Sequence, residues 1–277
     1  MLLRDISIVA LILVVIYLFS YQHISSYDSD ASHIEAFKPV KKEMNMFSHF
    51  IIWKNYSVVY CNEDEILPEF LHTVLGNGSV LHHRDIMKDK KTTIKETMEK
   101  KFNKTEFRFL SLVQHPVQRF IKHFVHYCVK NNNYQETYYC SGCYDNLKCV
   151  VSKIFDLSNY YTSNSQTFIP TYFDHIFMPY IWKCDFKNSF SQYRKFKFFD
   201  KKQFKHEVNG LLFKANISGN DHIESLIDKL YEKENNLINQ EFKMYRDKLL
   251  KNEKLMYKFI AVYFYDFFKY GIPLPNF

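Results

Sequence analysis

Two segments of this chain, IIWKNYSVVYC at Ile51–Cys61 and FLSLVQHPVQRFIKHF at Phe109–Phe124, each read as a short apolar strand, a polar turn and the start of a helix. A chain organised around such junctions is directed to an open α/β architecture, in which a mostly parallel sheet is flanked by helices. In these folds strand ends deliver polar side chains to a crevice, and helix N-termini offer N–H groups without intrahelical partners, so phosphate-bearing ligands are held there.

The surrounding sequence extends that reading. SHFIIW at Ser48–Trp53 supplies a buried strand, KNYS a turn, and ILPEFLHTVL at Ile66–Leu75 has the apolar spacing of a helix. Phe107–Val113 reads as a second core strand, and Pro116 suits a first helical turn. Beyond it Phe120, Phe124 and Tyr127 recur on one helix face, while Arg119, Lys122, His126 and Lys130 form a basic stripe on the other. A solvated face is the ordinary explanation of such a stripe, but Arg119 follows a strand closely enough to meet a bound anion. Asn159–Phe186 is expected to be a long packed loop. The chain should end in helices, with Tyr257–Gly271 burying an aromatic face and stopping at Gly271 before Pro273.

Ahead of this body lies ISIVALILVVIYLFSY, Ile6–Tyr21, an uncharged run slightly short of a usual membrane span. It is read as an uncleaved anchor, giving a tail at 1–5, a transmembrane signal anchor at 6–24, a stem at 25–42 and a lumenal domain at 43–277. A cleaved signal peptide would call for a clearer basic start and cleavage site, and a buried core helix fits poorly with the polar SSYDSDASH that follows. No near basic cluster on the far side opposes a lumenal body.

That placement changes how the six cysteines, Cys61, Cys128, Cys140, Cys143, Cys149 and Cys184, are read. An even count in an oxidising compartment favours disulfides, although six thiols pair in about fifteen ways. The alternative, a metal site at Cys140–Cys143 with Cys128 and Cys149, lacks the regular spacing of paired zinc knuckles, and no metal is expected. Acceptor tripeptides begin at Asn55, Asn77, Asn103 and Asn216. A glycan on Asn55 would obstruct a ligand at the first turn, so Asn55 is expected to be unmodified if that turn binds.

Phe and Tyr number 27 and 21 while Gly and Pro number 6 and 7, a balance that suits an ordered body rather than a disordered stalk. The formal charge of +7, with clusters at Lys88–Lys91 and Arg194–His206, suits an acidic partner. A lumenal domain would not ordinarily meet nucleic acid, which leaves some other acidic ligand as the expectation.

With the anchor, the two loops, the cysteine region and the aromatic C-terminal helix in this order, the chain from about Phe47 to Pro275 resembles the Golgi carbohydrate sulfotransferases of the chondroitin type, particularly a diverged group expanded in nematodes. The resemblance implies a P-loop-like sulfotransferase fold. It also implies transfer of sulfate from 3′-phosphoadenosine 5′-phosphosulfate to a hydroxyl of a glycosaminoglycan such as chondroitin. In the first loop Lys54 fits the basic position and Ser57 a hydroxyl position that grip the 5′-phosphosulfate, with Asn55 between them. Val58 stands where the related pattern KNMST has another hydroxyl. Lys54 would neutralise charge developing at the bridging oxygen, while Ser57 and turn amides orient the anion.

The second loop departs further. The family pattern has Arg-Asp-Pro, then Arg and Ser, with the first Arg and the Ser on the 3′-phosphate. Here Pro116 and Arg119 are kept, but Gln114, His115 and Lys122 occupy the positions of the first Arg, the Asp and the Ser. Gln114 cannot offer a cationic fork, and Lys122 supplies a charge of different geometry. In DHIFMPYIWKC, Asp174–Cys184, Ile176 takes the expected His position and His175 is displaced by one, whereas Phe177, Pro179, Trp182 and Cys184 follow the pattern. A base must reach the acceptor hydroxyl; His82, His83, Glu63, Asp64 and Glu65 are the candidates, and none is singled out. These departures support an alternative in which the fold binds acidic glycan without catalysing transfer.

Overall fold

The computed structural model describes residues 38–40, 46, 49–62, 66–82, 93–103, 106–130, 138–163, 170–217 and 221–275. The run read as an anchor, nearly all of the stretch read as a stem, Glu63–Glu65, His83 and Lys88–Lys91 lie outside them. Among the described residues no helix is long and apolar enough to cross a membrane.

Five strands form the central sheet: β1 (His49–Trp53), β2 (Val58–Asn62), β3 (Ser79–His82), β4 (Arg108–Val113) and β5 (Tyr193–Lys197), in the spatial order β3-β1-β2-β4-β5. β2, β4 and β5 are mutually parallel, with Val58 opposite Arg108 and Phe109 opposite Tyr193. β1 pairs antiparallel to both β2 and β3. The expected α/β class, a sheet with a parallel core flanked by helices, is therefore present.

The alternation along β4 explains the two layers. Phe109 and Val113 enter one apolar cluster, and Leu110 and Leu112 enter the other, because successive side chains of a strand leave opposite faces. Helices α1 (Ile66–Leu75), α6 (Lys201–Lys214) and α7 (Asp221–Asn236) contribute to the second cluster. On the first face lie α2 (Ile94–Phe102), α3 (Pro116–His123) with its π-helical continuation Phe124–Lys130, and α4 (Leu147–Ser163). α5 (Tyr172–Phe177), α8 (Gln240–Leu250) and α9 (Glu253–Tyr270) complete it. α9 ends as read, with Gly271 left-handed at φ 63° and its N–H bonded to the carbonyls of Phe267 and Phe268.

Two expectations change. The first segment is not a strand–turn–helix junction: Lys54–Tyr56 is a single 3-10 turn and Ser57, left-handed at φ 54°, leads into β2, which folds back against β1. The helix follows only after β2. Val58, Val59 and Tyr60 are fully buried, and a β-rich run of that kind gains more from pairing inside the sheet than from starting a helix. The second correction concerns Asn159–Phe186, whose described residues are largely helical: the end of α4, α5, a 3-10 turn at Tyr180–Trp182 and the first residue of a short helical turn, Phe186–Ser189. Thr171 and Asp174 form a reciprocal cap that starts α5 in this stretch.

All six cysteines are paired, Cys61 with Cys184, Cys128 with Cys140 and Cys143 with Cys149. The alternative zinc reading of Cys128–Cys149 loses its thiolate ligands to these bridges. Cys61 lies next to the C-terminal end of β2, so its bridge ties the segment ending at Cys184 to that end of the sheet.

Candidate functional site

The parallel strands define two edges, and only the C-terminal one collects strand-to-helix junctions, where ligands of open α/β sheets are held. β4 ends at Val113, Gln114 and His115 form the turn, and α3 begins with Pro116 at its first position. The second segment thus folds as its sequence indicates.

Gln114 is buried, at 6% exposure. Lys122, two turns along α3, reaches back to donate to Gln114 Oε1 at 3.4 Å and is ion-paired with Glu234 of α7. His115 caps α3 without a side-chain hydrogen bond; its imidazole meets the Phe267 ring edge-on at 5.7 Å, and burial lowers its pKa.

Arg119 is built into the core, at 1% exposure. Its Nη2 lies 3.7 Å from Asp266 Oδ2 and donates to the Met178 carbonyl at 3.1 Å, and its guanidinium carbon stands 4.2 Å from the Tyr180 ring centre. Asp266 also accepts from the backbone N–H groups of Tyr180 and Ile181, each at 2.9 Å. Burial raises the Asp266 pKa against the opposing pull of Arg119 and these two donors. Arg119 thus clamps α3, α9 and the Met178–Ile181 turn together, and its charge is opposed by a carboxylate of the protein itself.

The same edge gathers histidines. His49, at the start of β1, is exposed and stands opposite both Asn62 and His82 in register. Its ring centre is 6.2 Å from that of His175 on α5. Lys183 donates to the His175 carbonyl and is fully buried. His82, weighed as a base from sequence, thus lies at the C-terminal edge beside His49, which the sequence does not single out; His49 precedes an apolar run and becomes an edge residue only through antiparallel pairing. His123 is further inside, with Nδ1 at 3.0 Å from the Ile176 carbonyl, and burial followed by the nearby Arg119 charge holds its pKa well below the usual histidine value.

Lys54, Asn55 and Ser57 are elsewhere. Their turn joins the end of β1 to the start of β2, and the Ser57 carbonyl accepts from Arg108 N–H at the first residue of β4. Lys54 Nζ lies 4.9 Å from the centre of the Phe102 ring. Lys54, Asn55 and Tyr56 line an open hollow of about 200 Å³ shared with Asn77 and Ser79. The six residues of β4 separate this turn from Gln114, which at roughly 3.3 Å per residue is about 20 Å. The fold therefore joins Gln114 and Lys122 at the C-terminal edge, turns Arg119 from the expected anion site into the core against Asp266, and sets Lys54, Asn55 and Ser57 at the opposite edge. A parallel neighbour of β4 is β2, which ends at Asn62, with α1 beginning at Ile66. No group of side chains suited to a metal occurs among the described residues.

Comparison with known proteins agrees with this architecture. No solved structure matches significantly. A Caenorhabditis elegans protein named "Putative sulfotransferase vep-2" is 31% identical over 84 residues, which is 30% of this chain and 26% of that protein, so the chain spans about a quarter of the relative's length. The model of the family described as Sulfotransferase family matches residues 48–271, from the start of β1 through Gly271 at the end of α9, and the chain belongs to that family.

Proposed function

We propose that the chain performs sulfate transfer at the C-terminal edge of its parallel strands. It takes sulfate from 3′-phosphoadenosine 5′-phosphosulfate and delivers it to a hydroxyl of an acidic glycosaminoglycan such as chondroitin. It works in the Golgi lumen as a single-pass type II protein held by residues 6–24. The observation that carries this reading is the β4–turn–α3 junction, which supports a buried amide, Gln114, and a cation, Lys122, at the strand-to-helix edge where this fold class takes anions. His49 and His175 at the same edge are the candidates for removing the acceptor proton.

A second reading, glycan binding without transfer, is favoured by the fate of the cations in this chain's two loops. Arg119 faces Asp266, Lys122 faces Glu234, and Lys54 lies at the other edge. Between β2 and α1 the sequence carries Glu63, Asp64 and Glu65, and carboxylates disfavour an anionic donor.

Incubation of the purified full-length protein with donor carrying labelled sulfate and a panel of desulfated glycosaminoglycans separates the two. Transfer that falls at least tenfold in Lys122→Ala and in His175→Ala supports the first reading. Glycan retained on the protein with no labelled product supports the second. Transfer lost in Lys54→Ala but retained in Lys122→Ala would return the donor to the opposite edge and refute the site proposed here.

A further inference from the structure

The four Asn-X-Ser/Thr tripeptides are scattered along the sequence, at Asn55, Asn77, Asn103 and Asn216, yet the fold brings all four asparagines to the N-terminal edge of the parallel strands. Asn55 is in the β1–β2 turn, beside the first residue of β2. Asn77 precedes β3, whose first residue, Ser79, pairs with Ile52 near the same turn. Asn103 caps the end of α2, and its neighbour Phe102 carries the Lys54 ammonium over its ring. Asn216 follows α6, and the direction of that helix is fixed by its contacts. Phe204, near its start, meets Phe198 beyond the C-terminal end of β5, and Glu207 bonds Arg194 one residue from the N-terminal end. α6 thus runs back along β5, and Asn216 emerges past the N-terminal edge.

All four asparagines are exposed, and among the described residues no hydrogen bond holds their side-chain amides. Asn55 and Asn77 line the same hollow. Asn103 and Asn216 adopt left-handed backbone at φ 48° and 57°, conformations that turn the chain outward at helix ends. Gly78, the middle residue of one tripeptide, is required by the fold, since a Cβ there would come within 2.6 Å of Ile51 Cγ2. Chance would spread acceptor tripeptides over both edges and both helical faces. A ligand edge, by contrast, tolerates no bulky substituent, and none of the four approaches Gln114, Lys122 or His175.

We propose that the N-terminal edge of the sheet is the glycan-bearing face of this protein, with N-linked oligosaccharide on Asn55, Asn77, Asn103 and Asn216. In the attachment step the side-chain amide nitrogen forms a bond to the anomeric carbon of an oligosaccharide carried on a lipid pyrophosphate. The bond from that carbon to the pyrophosphate oxygen breaks, the lipid pyrophosphate leaves with the electron pair, and the amide gives up one proton. The inference rests on the lumenal placement proposed above, and it reverses the expectation that Asn55 stays bare to serve as a ligand turn.

The test is peptide mapping of the full-length protein made in cultured animal cells. It is treated with an amidase that releases N-glycans in water enriched in oxygen-18, and a parallel sample is mapped without reduction. The expected result is conversion of all four asparagines to labelled Asp, with the three disulfides intact. Bare Asn55 or Asn77 in a protein whose other sites are occupied overturns the one-edge assignment while leaving the lumenal placement standing. Four bare asparagines together with free thiols overturn both. Four bare asparagines with intact disulfides overturn the glycan-bearing face alone.

Discussion

Replacing Arg119 with methionine tests whether this residue belongs to the core or to a ligand. The change keeps an unbranched apolar stem but removes the guanidinium, and with it the partner of Asp266 and the donor to Met178. Both side chains of the pair are 1% exposed, so solvent cannot take over the lost interaction. Removing one member of a buried ion pair costs about 3–5 kcal/mol. Asp266 keeps two backbone donors at 2.9 Å, which places the expected loss near the lower end, about 3 kcal/mol. At about 1.4 kcal/mol per tenfold, that is more than a hundredfold in the folding equilibrium.

The loss should also depend on pH. Burial already raises the Asp266 pKa and Arg119 opposes that rise, so the Arg119→Met substitution leaves it higher still. A carboxyl whose folded pKa exceeds its unfolded value of 3.8 binds protons more tightly when folded; its contribution therefore falls as pH rises from 3.8 through the folded value. The deficit of Arg119→Met should be full at pH 7 and shrink as the solution is acidified. Urea unfolding followed by tryptophan fluorescence suits the measurement, because Trp182 adjoins Ile181 and is buried. A variant within about 0.5 kcal/mol of the parent at pH 7, below the ordinary range for buried charge pairs, would refute the structural role. Arg119 would then be available for an anion after all.

Other outcomes follow from the same geometry. His123 is buried with its pKa well below 6.5, so its contribution to stability is present above that value and lost as pH falls through the folded pKa; His123→Gln should flatten the decline in unfolding free energy between pH 7 and 5. The Cys61–Cys184 bridge closes a separation of 123 residues, and its replacement by Ala at both positions should cost about 4–5 kcal/mol in denaturant unfolding. Lys122→Ala leaves Glu234 without its cation and should speed amide exchange at the C-terminal turns of α7, at a cost of about 1.5–3 kcal/mol.

Local patterning made much of the fold legible. Apolar runs at Ile51–Trp53 and Phe109–Val113 placed two strands, Pro116 placed the start of α3, and Gly271 marked the end of α9, because each signal acts within a few residues. The helices inside Asn159–Phe186 were missed because short elements held by caps and tertiary contact carry little periodicity. The candidate site was half legible. Gln114, Arg119 and Lys122 belong to one strand–helix unit and stay together, but the partner of Arg119 is Asp266, 147 residues further on, and no local rule connects them.

By itself the sequence determined an α/β body, an even set of cysteines suited to pairing, a second loop that departs from the sulfotransferase pattern and a basic charge of +7. Those are properties of composition and of neighbours along the chain. Only the tertiary structure decided which edge each loop occupies. The run Val58–Asn62 gains more by pairing with both β1 and β4 than by opening a helix, and that one choice carries Lys54 and Ser57 to the N-terminal edge. The same pairing puts Asn55 at that edge, where β3, α2 and α6 deliver the other three asparagines, and leaves the opposite one to Gln114, Lys122 and the histidines.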